Sequence, residues 1–202
     1  VYSSIDHRGR YAYQNQPPIA HWNLAGLAQA LLPLLSENED EAVEKATAAI
    51  NTFPECFKAS YTAGLGRKLG LSTVDASDEV LGSDLLERMA RNKADFTLTF
   101  RYLSALSQTQ NDADNHVRAL FEEPAEFDQW ATDWRVRLAQ EGVTDSERQD
   151  EMRKANPLYI PRNHLVEATI RAAEDSDDLA PFNHLVTVLA SPYQQQPGAD
   201  AY

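Results

Sequence analysis

A chain of 202 residues is long enough to bury a core and fits one domain or one compact portion of a larger protein. Its 31 acidic and 18 basic residues leave a formal charge of −13, a field that repels phosphate backbones and anionic bilayers and so argues against nucleic-acid and membrane partners. The single cysteine, Cys56, excludes an internal disulfide framework and a cysteine-based zinc site.

Residues 1–16 are the one stretch without a helical pattern. Tyr2–Ile5 and Arg10–Tyr13 flank the turn-like Asp6-His7-Arg8-Gly9, which suits a short hairpin or an ordered loop. Pro17 and Pro18 suit a first helical turn. Leu24, Leu27, Leu31 and Leu34 then share a helical stripe, which Pro33 should kink or end. Asn38 with Glu41 forms a candidate capping box for a second helix carrying Val43, Ala46, Ile50 and Phe53 inward. Beyond Pro54, Phe57, Tyr61, Leu65 and Leu69 mark a third helix that Gly70 can cap. Leu81, Leu85 and Met89 mark a fourth.

Phe96–Phe100 alternates like a strand, yet Phe96, Phe100, Leu103 and Leu106 also fall at helical spacing; helical neighbours favour helix. A polar joint spans 107–115. Pro124 opens a helix with Phe127, Trp130, Trp134 and Leu138 on one face, and Thr144 with Glu147 reads as a capping box for a helix to about Ala155. Asn156-Pro157 stops it. Pro161 starts a helix with Leu165, Thr169, Ile170 and Ala173 inward, and Leu179, Phe182, Leu185, Val186 and Leu189 form the last. The expected organisation is therefore an all-α body over 17–192, a non-helical lead-in over 1–16, and an extended or disordered tail over 193–202.

Little in these residues reads as chemistry. Gly64-x-Gly66-Arg67-Lys68 invites a phosphate-loop reading but lacks the GxxxxGK[ST] pattern and a preceding strand; it reads as a helix end. The five histidines, His7, His21, His116, His164 and His184, include no pair at i, i+3 or i+4, so no local metal motif exists. Asp6-His7-Arg8 and Asp95-Phe96-Thr97 imitate kinase catalytic triplets without the Asn, Gly, lysine strand or Gly-rich loop those require. Trp130 and Trp134, four apart, read as core. No apolar run approaches the ~20 residues of a membrane span. No signal peptide is visible, and Val1 in place of an initiator Met reads as a start inside a longer protein.

The run Gly9-Arg10-Tyr11-Ala12-Tyr13-Gln14-Asn15-Gln16-Pro17, continuing through Ala20-His21-Trp22-Asn23-Leu24, resembles the stretch of selenoprotein O family proteins that follows their metal-binding D-Y-G segment. Lys68–Leu71, Asp95–Leu103 and Asn156–His164 match in the same order, as does the Trp130, Trp134, Arg137-Leu138 spacing. The resemblance implies the helical C-terminal lobe of a kinase-like pseudokinase. It also implies an intact parent that transfers AMP from ATP, with Mg or Mn, to hydroxyl side chains of protein substrates. The family's nucleotide and metal residues precede the equivalent of Val1, so this chain alone is expected to contain no catalytic, cofactor-binding or metal residue, to bind no nucleotide and to be inactive. Arg10, Asn15 and Asn23 are the residues that would support the active site, by positioning the metal-bearing loop or the substrate; the alternative is that they only satisfy backbone groups around a loop. A bacterial-type parent would be cytoplasmic, a eukaryotic one mitochondrial. The contrasting possibility is a stand-alone helical interaction module without catalysis.

Overall fold

The computed structural model describes residues 8–10 and 12–199. Among them it contains ten α-helices, one 3-10 turn (Tyr13–Asn15) and no strand, so the all-α expectation holds and Phe96–Phe100 is helix. The helices are α1 (Gln16–Leu35), α2 (Glu39–Asn51), α3 (Phe53–Leu69), α4 (Ala76–Arg91), α5 (Phe96–Leu103), α6 (Asp114–Arg118), α7 (Pro124–Leu138), α8 (Asp145–Ala155), α9 (Asn163–Ser176) and α10 (Ala180–Leu189). None of them is long and apolar enough to cross a membrane. Packing divides the chain into two compact units, Val1–Tyr61 and Thr62–Tyr202, a boundary that falls inside α3.

The helix ends follow local chemistry. Pro17 and Pro18 open α1, and Pro33 sits in its last turn. The Asn38 side chain accepts from the Glu41 N–H at 3.0 Å, but the Glu41 carboxylate accepts from the Ser36 hydroxyl instead, so only half of the expected capping box forms. Thr144 and Glu147 make the full reciprocal box. A second full box, Asp75 with Asp78 at the start of α4, went unread in the sequence because the N3 residue is Asp rather than the usual Glu or Gln. Gly70 ends α3 at φ 78°, where a side chain would be strained, and the Leu71 N–H reaches back to the Gly66 carbonyl at 2.9 Å.

In the first unit α1 packs on α2, but the expected inward stripe of α1 is not covered. Leu24 and Leu31 are 38% exposed, Leu27 54% and Leu34 81%, and Val43 on α2 is 45% exposed. The buried surface α2 offers is the small Ala42 and Ala46. Spacing fixes which residues share a face of a helix, whereas burial depends on how much surface the neighbours offer. An aromatic row, His21–Phe53–Phe57–Tyr61, stacks with ring centroids 5.4, 6.0 and 5.8 Å apart.

The second unit holds the core, built from α3 to α8 around Leu69, Leu85, Phe100, Phe127, Trp130, Trp134, Leu138 and Met152. Trp130 and Trp134 stack at 5.7 Å, and their indole N–H groups donate to the carbonyls of Leu81 and Leu69, both at 2.9 Å. That double satisfaction is what lets two indoles be fully buried. Helix α6 lies partly in the stretch read as a polar joint. Helix α9 begins at Asn163 rather than Pro161, because Arg162 stays extended (ψ 134°) as its N-cap. Ile170, Leu179, Phe182 and Val186, expected inward, are 44–54% exposed, since α9 and α10 are short helices that pack largely on each other. Residues 193–199 form no helix but are held: the Gln196 N–H donates to Tyr159 Oη at 3.1 Å, and Ala199 is buried with Tyr159 and Val188.

Candidate functional site

Of the lead-in, residues 1–7 and Tyr11 lie outside the described residues, and with them most of the expected hairpin or ordered loop; residues 8–10 and 12–15 form a turn secured to the start of α1. Gly9, at φ 69°, takes a left-handed conformation that its missing Cβ permits. Its carbonyl accepts from the Ala12 N–H at 3.0 Å and from Asn15 Nδ2 at 2.7 Å. The Arg10 guanidinium lies over the Trp22 ring, 4.8 Å from its centroid, an orienting cation–π contact. Asn23 follows on α1 with its side chain exposed. Arg10 and Asn15 thus meet on one turn, while Asn23 neighbours the indole that holds Arg10. Trp22 went unremarked in the sequence except as part of a matching run, because nothing in its spacing sets it apart from other residues of α1.

The three other matching stretches meet in the second unit at Asn156, which the sequence marks as a helix stop and as the start of one of those stretches. Asn156 is fully buried. Its Nδ2 donates to the Lys68 carbonyl at 2.9 Å and to Ser104 Oγ at 3.0 Å, and its Oδ1 accepts from Lys68 Nζ at 3.2 Å. Lys68 Nζ also reaches the Ala155 carbonyl at 3.1 Å, and Arg101 Nη1 reaches the Asn156 carbonyl at 3.1 Å. Two cations therefore close the carboxyl end of α8, where carbonyls are left without helical partners. Lys68 is in the last turn of α3, and Gly66 is needed there because a Cβ would come within 2.2 Å of Val74 Cγ2. The glycine-and-cation run is a packed helix end.

Asp95, the apparent start of a kinase triplet, is the N-cap of α5: Oδ1 accepts from the Leu98 N–H at 2.8 Å while Oδ2 pairs with Arg162 Nη1 at 2.7 Å. Burial alone would raise its pKa, but the Arg162 guanidinium and the Leu98 and Thr97 N–H groups outweigh it and hold the carboxyl below the usual aspartate range. A lowered carboxyl pKa stabilises the fold above the unfolded-state value and loses that contribution as pH falls through the folded value. Asp95→Asn is therefore expected to lower the melting temperature at neutral pH and to have a shrinking effect as the pH is taken down through the aspartate range. A melting-temperature difference that stays constant from pH 7 to strong acid would refute the linkage.

The sequence profile of the family described as "Protein adenylyltransferase SelO" matches residues 1–190, which takes in the lead-in turn and every helix. The chain belongs to this family. It is 54% identical over 202 residues to "Protein nucleotidyltransferase YdiU" of Rhodopseudomonas palustris (strain BisB5), covering 100% of this chain and 41% of the relative. Proteins of the same name from Bradyrhizobium diazoefficiens and Methylorubrum populi are 53% and 52% identical, across 100% and 98% of this chain and 41% of each relative. The chain thus spans about two-fifths of the length of the curated relatives it matches.

Proposed function

We propose that this chain is the helical, kinase-like lobe of a cytoplasmic protein adenylyltransferase, a pseudokinase whose catalytic residues lie in a part of the polypeptide other than residues 1–202. The observation that carries this reading is the family match over residues 1–190. In the proposed reaction a substrate hydroxyl oxygen bonds to the α-phosphorus of ATP, the bond to the β-phosphate breaks, pyrophosphate leaves, and the hydroxyl proton is released. Divalent metal chemistry belongs to that other part as well. Among the described residues no group of three or more His, Cys, Asp or Glu side chains could hold an ion, so no step is assigned through metal in this chain. The proposal is tested by a labelled-ATP transfer assay with magnesium or manganese: the intact protein should label a protein substrate and residues 1–202 alone should not. Label transfer by the chain alone, or none by the intact protein, would refute it.

Within this reading Arg10, Asn15 and Asn23 act as positioning residues at the active-site border. Arg10 is held by Trp22, and Asn15 ties the Gly9 turn to the start of α1, which would fix the direction in which the segment enters α1. In the intact protein Arg10→Ala is expected to lower AMP transfer about tenfold, a loss of about 1.4 kcal/mol of transition-state stabilisation. Arg10→Lys should recover part of the rate because the cation–π contact tolerates an ammonium while the planar fork is lost. Transfer unchanged in Arg10→Ala, with only the melting temperature lowered, would make the segment structural.

A further inference from the structure

In the second unit a cleft of about 740 Å³ lies between α5, the end of α8, the 158–164 segment and the C-terminal tail. Its charged lining runs against the character of the chain. Arg101, Arg153 and Arg162 face it, with the imidazole of His164 beside them and Asp95 as the one carboxylate among the described lining residues, in a sequence where acids outnumber bases 31 to 18. Two of the arginines are already paired, Arg162 with Asp95 at 2.7 Å and Arg153 with Asp150 at 2.6 Å.

Arg101 differs from both. Among the described residues no carboxylate lies within ion-pair distance of it; Nη1 donates to the carbonyls of Arg153 and Asn156 at 3.4 and 3.1 Å. Those partial charges do not neutralise a guanidinium, and burial together with the neighbouring Arg153 holds its pKa below the usual arginine value. A half-buried cation beside another cation and open to a cleft is electrostatically unsatisfied, and an anion is what satisfies it. The amino end of α9, with His164 in its first turn and no acid there, opens onto the same wall, adding donors that favour negative charge.

We propose that this cleft binds a phosphoryl group, carried by a small molecule or by a phosphorylated side chain, with Arg101 as the principal contact and Arg153 and Arg162 as its flanks. Two or three planar donor forks around one space suit a multiply charged tetrahedral oxyanion better than a single carboxylate. The inference rests on the second unit alone and does not depend on the proposed transferase reaction.

Isothermal titration of the full 202-residue chain at low salt, with pyrophosphate, a phosphoserine peptide and a glutamate-rich peptide of the same length, tests it. Saturable binding of pyrophosphate or the phosphopeptide, weakened about tenfold by Arg101→Met and unchanged by Arg91→Met outside the cleft, is expected; which of the two binds identifies the carrier. Arg101→Met also removes a cap from α8, so Arg153→Gln, at the more exposed flank, serves as a second variant and should weaken binding in the same direction. No saturable binding of either phosphoryl probe, binding insensitive to both variants, or binding of the glutamate peptide alone would overturn the assignment.

Discussion

Trp134→Ala is expected to lower the unfolding free energy by about 3–5 kcal/mol. The indole has no exposed surface, stacks on Trp130 at 5.7 Å with planes 15° apart, and donates to the Leu69 carbonyl at 2.9 Å. Truncation removes a large buried apolar surface, leaves a cavity at the meeting point of α3, α7 and α8, and strands a carbonyl at the end of α3. The Arg148 guanidinium, 5.4 Å over the same ring, loses its cation–π partner, and it is itself almost fully buried with Nε unpartnered. Trp134→Phe separates these effects. It keeps a ring beside Trp130 but not the donor, so it should cost about 1–3 kcal/mol, the range for one stranded buried acceptor plus a smaller void. Urea unfolding followed by far-ultraviolet circular dichroism measures both. A midpoint shift corresponding to less than about 1 kcal/mol for Trp134→Ala would mean that the stacked pair is not the keystone of the second unit.

This residue was also among the most legible in the sequence. Phe127, Trp130, Trp134 and Leu138 recur at helical spacing behind Pro124, and all four are fully buried. The same rule placed Leu85, Met89, Phe100 and Leu103 in the core. It misread Leu24, Leu27, Leu31 and Leu34, because a periodic stripe says which way residues point and not what stands opposite them. In the second unit several helices converge and cover each other; in the first, α1 meets the alanine face of α2. Backbone punctuation was likewise readable where one residue type has one role, as at Gly70 and Thr144. It was hidden where roles are shared: Asp75 and Asp78 box a helix with residues that elsewhere on the surface do nothing. The lead-in residues Arg10 and Asn15 stood out only through family resemblance. Their cation–π contact and Gly9 bond join residues 12 and 6 positions apart, and no spacing pattern encodes such pairings. The cationic cleft was illegible for the same reason, since its arginines come from α5, α8 and the 158–164 segment of a chain whose net charge points the other way.

Asn156→Ala is expected to cost about 3 kcal/mol or more, although it deletes only one carboxamide. The deletion strands the Lys68 carbonyl and one donor of Lys68 Nζ and leaves Ser104 Oγ with only its own bond to the Phe100 carbonyl, and each buried polar group left unpaired costs about 1–3 kcal/mol. Lys68 makes the loss depend on pH. Burial already lowers its pKa, so the folded chain gives up that proton before the unfolded chain does. Folding therefore carries a charge-burial penalty that is full below the lowered value and is relieved as pH rises towards the ordinary lysine range. Asn156 Oδ1 favours the charged form, and removing it should lower the Lys68 pKa further. The penalty of Asn156→Ala should consequently be largest near neutral pH and shrink as Lys68 becomes neutral in alkali. Lys68→Met removes the cation altogether, so combining it with Asn156→Ala should be less than additive by about 0.5–3 kcal/mol. Additive losses, or a cost for Asn156→Ala that does not change with pH, would show that the carboxamide serves the Lys68 carbonyl and Ser104 alone. In that event the meeting of the family's Lys68, Arg101 and Asn156 stretches would be a matter of backbone closure, with the ammonium a bystander.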